Sequence, residues 1–124
     1  MIKLEDWMSK PVITIDPDKT VMQGIKFMKQ HDIGALVMVD AKKKPIGILT
    51  ERDILRLVSE GKDLVKLKIQ EVMTKGVKSV DVDATVLEVS KIMHTHGFRR
   101  IVITKNGQLV GIMTDKNLIE LMSG

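Results

Sequence analysis

Cysteine is absent from this sequence, and aromatic residues make up only 2% of its 124 positions. Without cysteine there is no disulfide staple, no thiolate nucleophile and no cysteine-ligated zinc, which fits a reducing compartment. Without aromatics the core must be aliphatic, built from Ile, Val, Leu and the nine Met. The thioether of Met fills irregular gaps and tolerates changed packing. Long hydrophobic runs are missing too: no stretch approaches the roughly 20 apolar residues that a membrane-spanning helix needs. The opening Met1-Ile2-Lys3-Leu4-Glu5-Asp6 places acids where a secretory signal would be apolar. A cytoplasmic protein with no membrane partner is the expectation.

What is present is a chain that is 44% hydrophobic and able to form a real core. Its 20 basic and 16 acidic residues leave a net charge of +4, with a pI near 9.4. Such an excess favours anionic partners, whether nucleic acid, acidic proteins or phosphorylated small molecules, without choosing among them.

The chain also resembles itself. A shift of 65 residues sets Met8-Ser9-Lys10-Pro11-Val12 on Met73-Thr74-Lys75-Gly76-Val77, and Asp16 to Val21 on Asp81 to Val86. Over residues 6–40 this gives 11 identities in 35 positions. After one deleted loop residue, Ile46-Gly47-Ile48-Leu49-Thr50-Glu51-Arg52-Asp53-Ile54 meets Val110-Gly111-Ile112-Met113-Thr114-Asp115-Lys116-Asn117-Leu118. The expected organisation is a first repeat at 1–60, a polar linker at 61–68 and a second repeat at 69–124.

Each half reads as β-α-β-β-α. Val12 to Ile15 and Val77 to Val82 look extended. Thr20 and Thr85 are placed to cap helices, because a hydroxyl there accepts from unpaired helical N–H groups. Val21, Ile25 and Met28, like Val86, Val89 and Met93, fall at helical spacing and mark a buried stripe. Ala35 to Val39 and Ile101 to Ile103 are dense enough in apolar residues for buried strands. Lys42-Lys43-Lys44-Pro45 and Lys105-Asn106-Gly107 are turns into a second strand. A terminal helix closes each half, with Ile54, Leu55 and Val58 in one and Leu118, Ile119 and Met122 in the other. Neither half is large enough to cover its own sheet, so pairing the two sheets is the natural way to build a core.

The run Met-Ser-Lys-Pro-Val-Ile-Thr-Ile, a helix, and then Gly47-Ile48-Leu49-Thr50-Glu51-Arg52-Asp53-Ile54 resembles a cystathionine-β-synthase-type (CBS) repeat. Two in tandem resemble the Bateman module, over nearly the whole chain. The resemblance implies an α/β (α+β) fold of two β-α-β-β-α repeats packed sheet to sheet about a pseudo-twofold axis. It also implies a cleft between repeats that binds adenine nucleotides (AMP, ADP or ATP) or a related adenosyl compound as a regulatory ligand, with no cofactor required. A homodimer formed through helical faces, and a separate effector protein, are implied as partners.

Carried onto this sequence, the resemblance makes Asp53 an acceptor for ribose hydroxyls, with Thr50 beside it. The residues alone allow another reading, since Thr followed three positions later by an acid at a helix start is close to a capping box. The two roles are compatible. The second copy departs from the pattern: Thr114 is followed by Asn117, an amide where the acid belongs. For the adenine cradle the resemblance points to Ile13, Thr14, Gly34 and Ala35, and to Lys78, Ser79, Arg99 and Arg100 in the second half. Small residues at Gly34 and Ala35 would let a flat base approach the backbone, or simply ease strand packing. Arg99 and Arg100, beside His96, offer planar guanidinium groups suited to phosphate, or form a solvated edge. Alternation along a strand allows at most one of the two arginines into a cleft.

His94 and His96, two apart, do not share a helix face, so no metal site is expected. Trp7 reads as a packing anchor. No nucleophile-base pair, metal motif or phosphate-binding loop marks an enzyme. A nucleic-acid-binding protein is the alternative suggested by the basic balance. The lack of stacking aromatics, and lysines spread along the chain, argue against it. A nucleotide-responsive regulatory module is the expected function.

Overall fold

The computed structural model describes every residue except Met1, Pro11 and Gly124, so Pro11 of the Met-Ser-Lys-Pro run lies outside the described residues. Helices and strands follow in the order α1 (Val21–His31), β1 (Ala35–Val39), β2 (Pro45–Thr50), α2 (Glu51–Ser59), α3 (Ile69–Val72), β3 (Ser79–Asp81), α4 (Val86–His96), β4 (Arg100–Lys105), β5 (Gln108–Thr114) and α5 (Asp115–Ser123). A 3-10 turn at Leu4–Asp6 precedes them.

The helix starts obey local chemistry. The Thr20 hydroxyl accepts from Gln23 N–H while the Gln23 side chain accepts from Thr20 N–H, a complete capping box. Thr85 accepts from Glu88 N–H at 3.1 Å. The β4–β5 turn is Asn106-Gly107, with both residues at positive φ, the geometry a two-residue hairpin loop requires.

The residues fall into two compact units. The first comprises Ile13–Ala41 and Pro45–Val77, and the second Met1–Val12, Lys42–Lys44 and Lys78–Gly124. These units are offset from the sequence repeats, because the segment that leads each repeat joins the unit containing the other repeat's hairpin. In the first unit β1 pairs antiparallel with β2. Leu36, Met38 and Leu49 form a core with Met28 and Ile69, and Met73 packs against it. In the second unit β3 runs parallel to β4, which pairs antiparallel with β5. Its core holds Ile101, Ile103 and Met113 with Val89, Met93, Leu4 and Met8, and Trp7 packs beside them.

The leading segments are held by matched contacts. Ser9 and Ile112 exchange both backbone hydrogen bonds, as do Thr74 and Ile48. Next to each bridge a methionine covers a glycine. A Cβ at Gly111 would overlap the Met8 side chain, and one at Gly47 would overlap Met73. Neither glycine has a positive φ, so close approach, rather than backbone conformation, requires them.

One expected strand is missing. Val12 to Ile15 is irregular, although Ile13 and Ile15 still pack on the core. In the second repeat Val82 N–H donates to Thr104 O at 2.8 Å, extending the ladder of β3. The equivalent residue in the first repeat is Pro17, which has no N–H to give.

Residues 61–68 lack regular structure but are well tied. Val21 N–H donates to Leu67 O and Met22 N–H to Leu64 O, so this segment satisfies the first two donors of α1. Lys68 Nζ donates to Asp18 Oδ1 at 2.9 Å. That bond and the charge of Asp18 hold the Lys68 ammonium above the ordinary lysine range.

The terminal helices bury less than their composition promises. In α2 the buried residue is Leu57, while Leu55 and Val58 are 70% and 56% exposed. In α5 Leu121 is buried, and Ile119 and Met122 are 68% and 74% exposed. No helix among the described residues is long and apolar enough to cross a membrane.

Candidate functional site

Alternation along the strands sorts the predicted residues. In β1, Leu36 and Met38 enter the helix-covered core, so Ala35 and Val37 lie on the opposite face. Register places Thr50 directly across from Ala35, and Glu51 N–H donates to Gly34 O at 3.0 Å. Gly34, Ala35, Thr50 and Asp53 are therefore gathered where β1 begins and α2 starts. Ile13 is half-buried against the core of this unit, and Thr14 beside it is exposed.

Asp53 closes the capping box that its spacing allows. Its Oδ2 accepts from Thr50 N–H at 2.8 Å and from Thr50 Oγ1 at 3.0 Å, and Thr50 Oγ1 accepts from Asp53 N–H at 3.3 Å. The other oxygen, Oδ1, lies 4.0 Å from Arg56 Nη2. Capping thus occupies one carboxylate oxygen and leaves the second able to accept hydrogen bonds. Arg56, one helical turn on, adds positive charge beside it, a neighbour that i,i+3 spacing makes readable.

The second unit repeats the arrangement with a different balance. Arg100 pairs with Thr114, and Asp115 N–H donates to Arg99 O at 2.9 Å. Ser79 sits beside Val102 in the parallel ladder, and Lys78 O accepts from Val102 N–H. Lys78, Ser79, Arg99, Arg100, Thr114 and Asn117 therefore meet at one end of the sheet. Ile101 and Ile103 face the core, so Arg100, Ser79 and Thr114 share the opposite face. Arg100 is half-buried there and Arg99 is exposed.

Asn117 caps α5 as Asp53 caps α2, but with its only acceptor. Its Oδ1 takes Thr114 N–H at 2.9 Å and the Ser9 hydroxyl at 3.4 Å. What remains of Asn117 is an amide that donates. Ser9 carried no local signal of this role, since it lies 108 residues away. His96, in the last turn of α4, stacks on Phe98 with ring centroids 5.1 Å apart. His94 and His96 are both exposed, and among the described residues no group of three or more His, Asp or Glu side chains is placed to hold a metal.

With this geometry established, similarity to known proteins becomes informative. The family model described as CBS domain matches twice, at residues 4–60 and 69–124. The uncharacterized protein MK0525 of Methanopyrus kandleri is 36% identical over 114 residues, covering 90% of this chain and 58% of that protein. An uncharacterized 17.7 kDa protein of Acidianus ambivalens is 36% identical over 117 residues, or 94% of this chain and 70% of the relative. The chain thus spans somewhat over half of the first relative and about two thirds of the second. Among solved structures, the CBS domain pair of protein MJ0100, in complex with 5′-methylthioadenosine and S-adenosyl-L-methionine, superposes with a TM-score of 0.88. It is 28% identical, over 99% of this chain and 97% of that one.

Proposed function

The chain belongs to the CBS-domain family, with one copy in each half, and from this premise we propose that it is a regulatory module that binds an adenosyl ligand. The ligand is an adenine nucleotide or a relative of the compounds held by the MJ0100 pair. No reaction follows. Binding favours one arrangement of the protein over another, and an effector that prefers that arrangement reads the difference.

The observation that carries this reading is the second oxygen of Asp53. It is a charged acceptor at a helix start, beside the small residues Gly34 and Ala35 and on the sheet end away from the helix-covered core. A ribose hydroxyl is a natural donor to it. Lys78, Arg99 and Arg100 gather positive charge at the corresponding end of the second sheet, where phosphate is the matching group.

Calorimetry with adenosine and with AMP tests both halves of this reading. Replacing Arg99 and Arg100 together by Ala should weaken AMP by about tenfold or more, the loss of at least one charge-assisted bond, and leave adenosine nearly unchanged. Equal weakening of the two ligands would mean that the arginines shape the sheet end and read no phosphate. Absence of binding by any adenosyl compound at millimolar concentration would remove the proposal altogether.

The module acts as a homodimer. Leu55 and Val58 in α2 and Ile119 and Met122 in α5 occupy equivalent places, and all four are exposed. Apolar residues kept at the same exposed positions in both copies fit a self-complementary contact. Sedimentation of the wild type at micromolar concentration should give a dimer, and Leu55→Glu with Ile119→Glu a monomer. A wild type that sediments only as a monomer, with and without ligand, would defeat the dimer.

A further inference from the structure

Position by position, the two sheets end in different chemistry. The 65-residue shift sets Ile13, Thr14, Gly34 and Ala35 on Lys78, Ser79, Arg99 and Arg100. Three uncharged positions of the first unit are thus cations in the second. Asp53 in turn gives way to Asn117, so a carboxylate is lost where the cations are gained. Glu120 in place of Arg56 offsets only one of them. Arg100 shares its sheet face with Ser79 and Thr114, while Lys78 and Arg99 are exposed at the same end of the sheet.

The acceptor that a ribose would need in the second unit is already spent. Asn117 Oδ1 takes Thr114 N–H at 2.9 Å and the Ser9 hydroxyl at 3.4 Å, which leaves the amide nitrogen to donate. Backbone groups are spent as well. The carbonyls of Lys78 and Arg99 receive Val102 N–H and Asp115 N–H. Lys116 N–H goes to Asp115 Oδ1 at 2.8 Å, and Asn117 N–H to Thr114 Oγ1 at 3.0 Å. The start of α5 therefore offers no backbone cradle, and any ligand there must be held by side chains. Those side chains are chiefly donors: Lys78, Ser79, the two arginines and the Asn117 amide. The first unit is the reverse, because Asp53 keeps a carboxylate oxygen outside its cap.

The geometry points to the end of the second unit's sheet, at Lys78, Arg100 and Asn117, as a site for a free oxyanion of the phosphate class, phosphate or pyrophosphate, bound without ribose or base. Guanidinium and ammonium groups suit phosphate oxygens, which only accept. A ribose hydroxyl brought to Asn117 meets an oxygen that two donors already hold. The contrast rests on the reading of Asp53 as the ribose acceptor of the first unit. The module then responds to two small molecules, an adenosyl compound in one unit and a free phosphate in the other.

Calorimetry on the full chain with inorganic pyrophosphate, and with 5′-methylthioadenosine as a ligand that carries no phosphate, tests this. Pyrophosphate should saturate at about one per chain, and equally well when 5′-methylthioadenosine is saturating. Replacing Arg99 and Arg100 together by Ala should weaken pyrophosphate by about tenfold or more and leave 5′-methylthioadenosine unchanged. Asn117→Asp should also weaken pyrophosphate by about tenfold, because it sets a like charge beside the anion. An acid closes the same cap at Asp53, so this variant keeps the fold. Asp53→Asn should leave pyrophosphate unchanged. Uptake that does not saturate at millimolar pyrophosphate, displacement of pyrophosphate by 5′-methylthioadenosine, or wild-type affinity in the arginine variant would each overturn the inference. Failure of 5′-methylthioadenosine to bind would count against the adenosyl reading and leave the pyrophosphate result standing.

Discussion

Gly111→Ala should destabilise the protein by about 1–3 kcal/mol, the usual cost of forcing a methyl into a filled site, and Met8→Ala should cancel that added cost. The new Cβ would overlap the Met8 thioether, while the backbone at Gly111 has no positive φ to protect. Met8→Ala alone should cost about 2–5 kcal/mol, as truncations of buried methionine do. With the methionine truncated, the three atoms nearest the new methyl are removed, so the double variant should be no less stable than Met8→Ala. Urea denaturation of the four proteins gives the coupling energy directly. Strict additivity of the two changes would mean that the glycine is needed for another reason. Gly47 and Met73 should behave as a second, independent pair.

The other large effect concerns ligand affinity. Asp53→Asn should weaken adenosyl binding by about fivefold for each ribose hydroxyl that the free oxygen accepts, because a charged acceptor exceeds a neutral one by about 1 kcal/mol per bond. The helix should scarcely notice, since Asn117 shows that an amide closes the same cap. Asn117→Ala should leave binding nearly intact, because the only acceptor oxygen of that side chain is already held by Thr114 and Ser9. Asn117→Asp should strengthen the second site by supplying a free oxygen. Titration of the three variants with AMP and with 5′-methylthioadenosine separates these outcomes. If Asn117→Ala proves the damaging change, the assignment of the stronger site to Asp53 is wrong.

Local chemistry was legible wherever partners lie within a few residues. The caps at Thr20 and Thr85, the Asn106-Gly107 turn and the dense strands β1 and β4 all follow from short-range rules, and the structure has them. The Thr50–Asp53 pair was legible as two compatible roles, and capping turns out to consume only one oxygen. Three features were harder to read. Val12 to Ile15 has the composition of a strand, and only the bond from Val82 N–H to Thr104 O in the second repeat shows what Pro17, with no N–H, fails to supply in the first. The composition of α2 and α5 does not show which apolar residues stay in solvent, because tertiary packing decides that Leu57 and Leu121 turn inward. The hydrogen bond from Ser9 to Asn117 has no local signature at all.

The placing of the leading segment within the second unit also sets an order of assembly. Ser9 must find Asn117, 108 residues further along, and Met8 must find Gly111. At a synthesis rate of roughly 5–20 residues per second, the first dozen residues wait about 5–20 s before their partners exist. Ile13–Ala41 and Pro45–Val77, by contrast, are complete well before the last strand is made. The contacts of the N-terminal segment are thus among the last to form, and their long sequence separation slows the closing step, since loop closure precedes any reward from packing. During that interval Leu4 and Met8, both buried in the finished protein, are open to chaperones and to proteases.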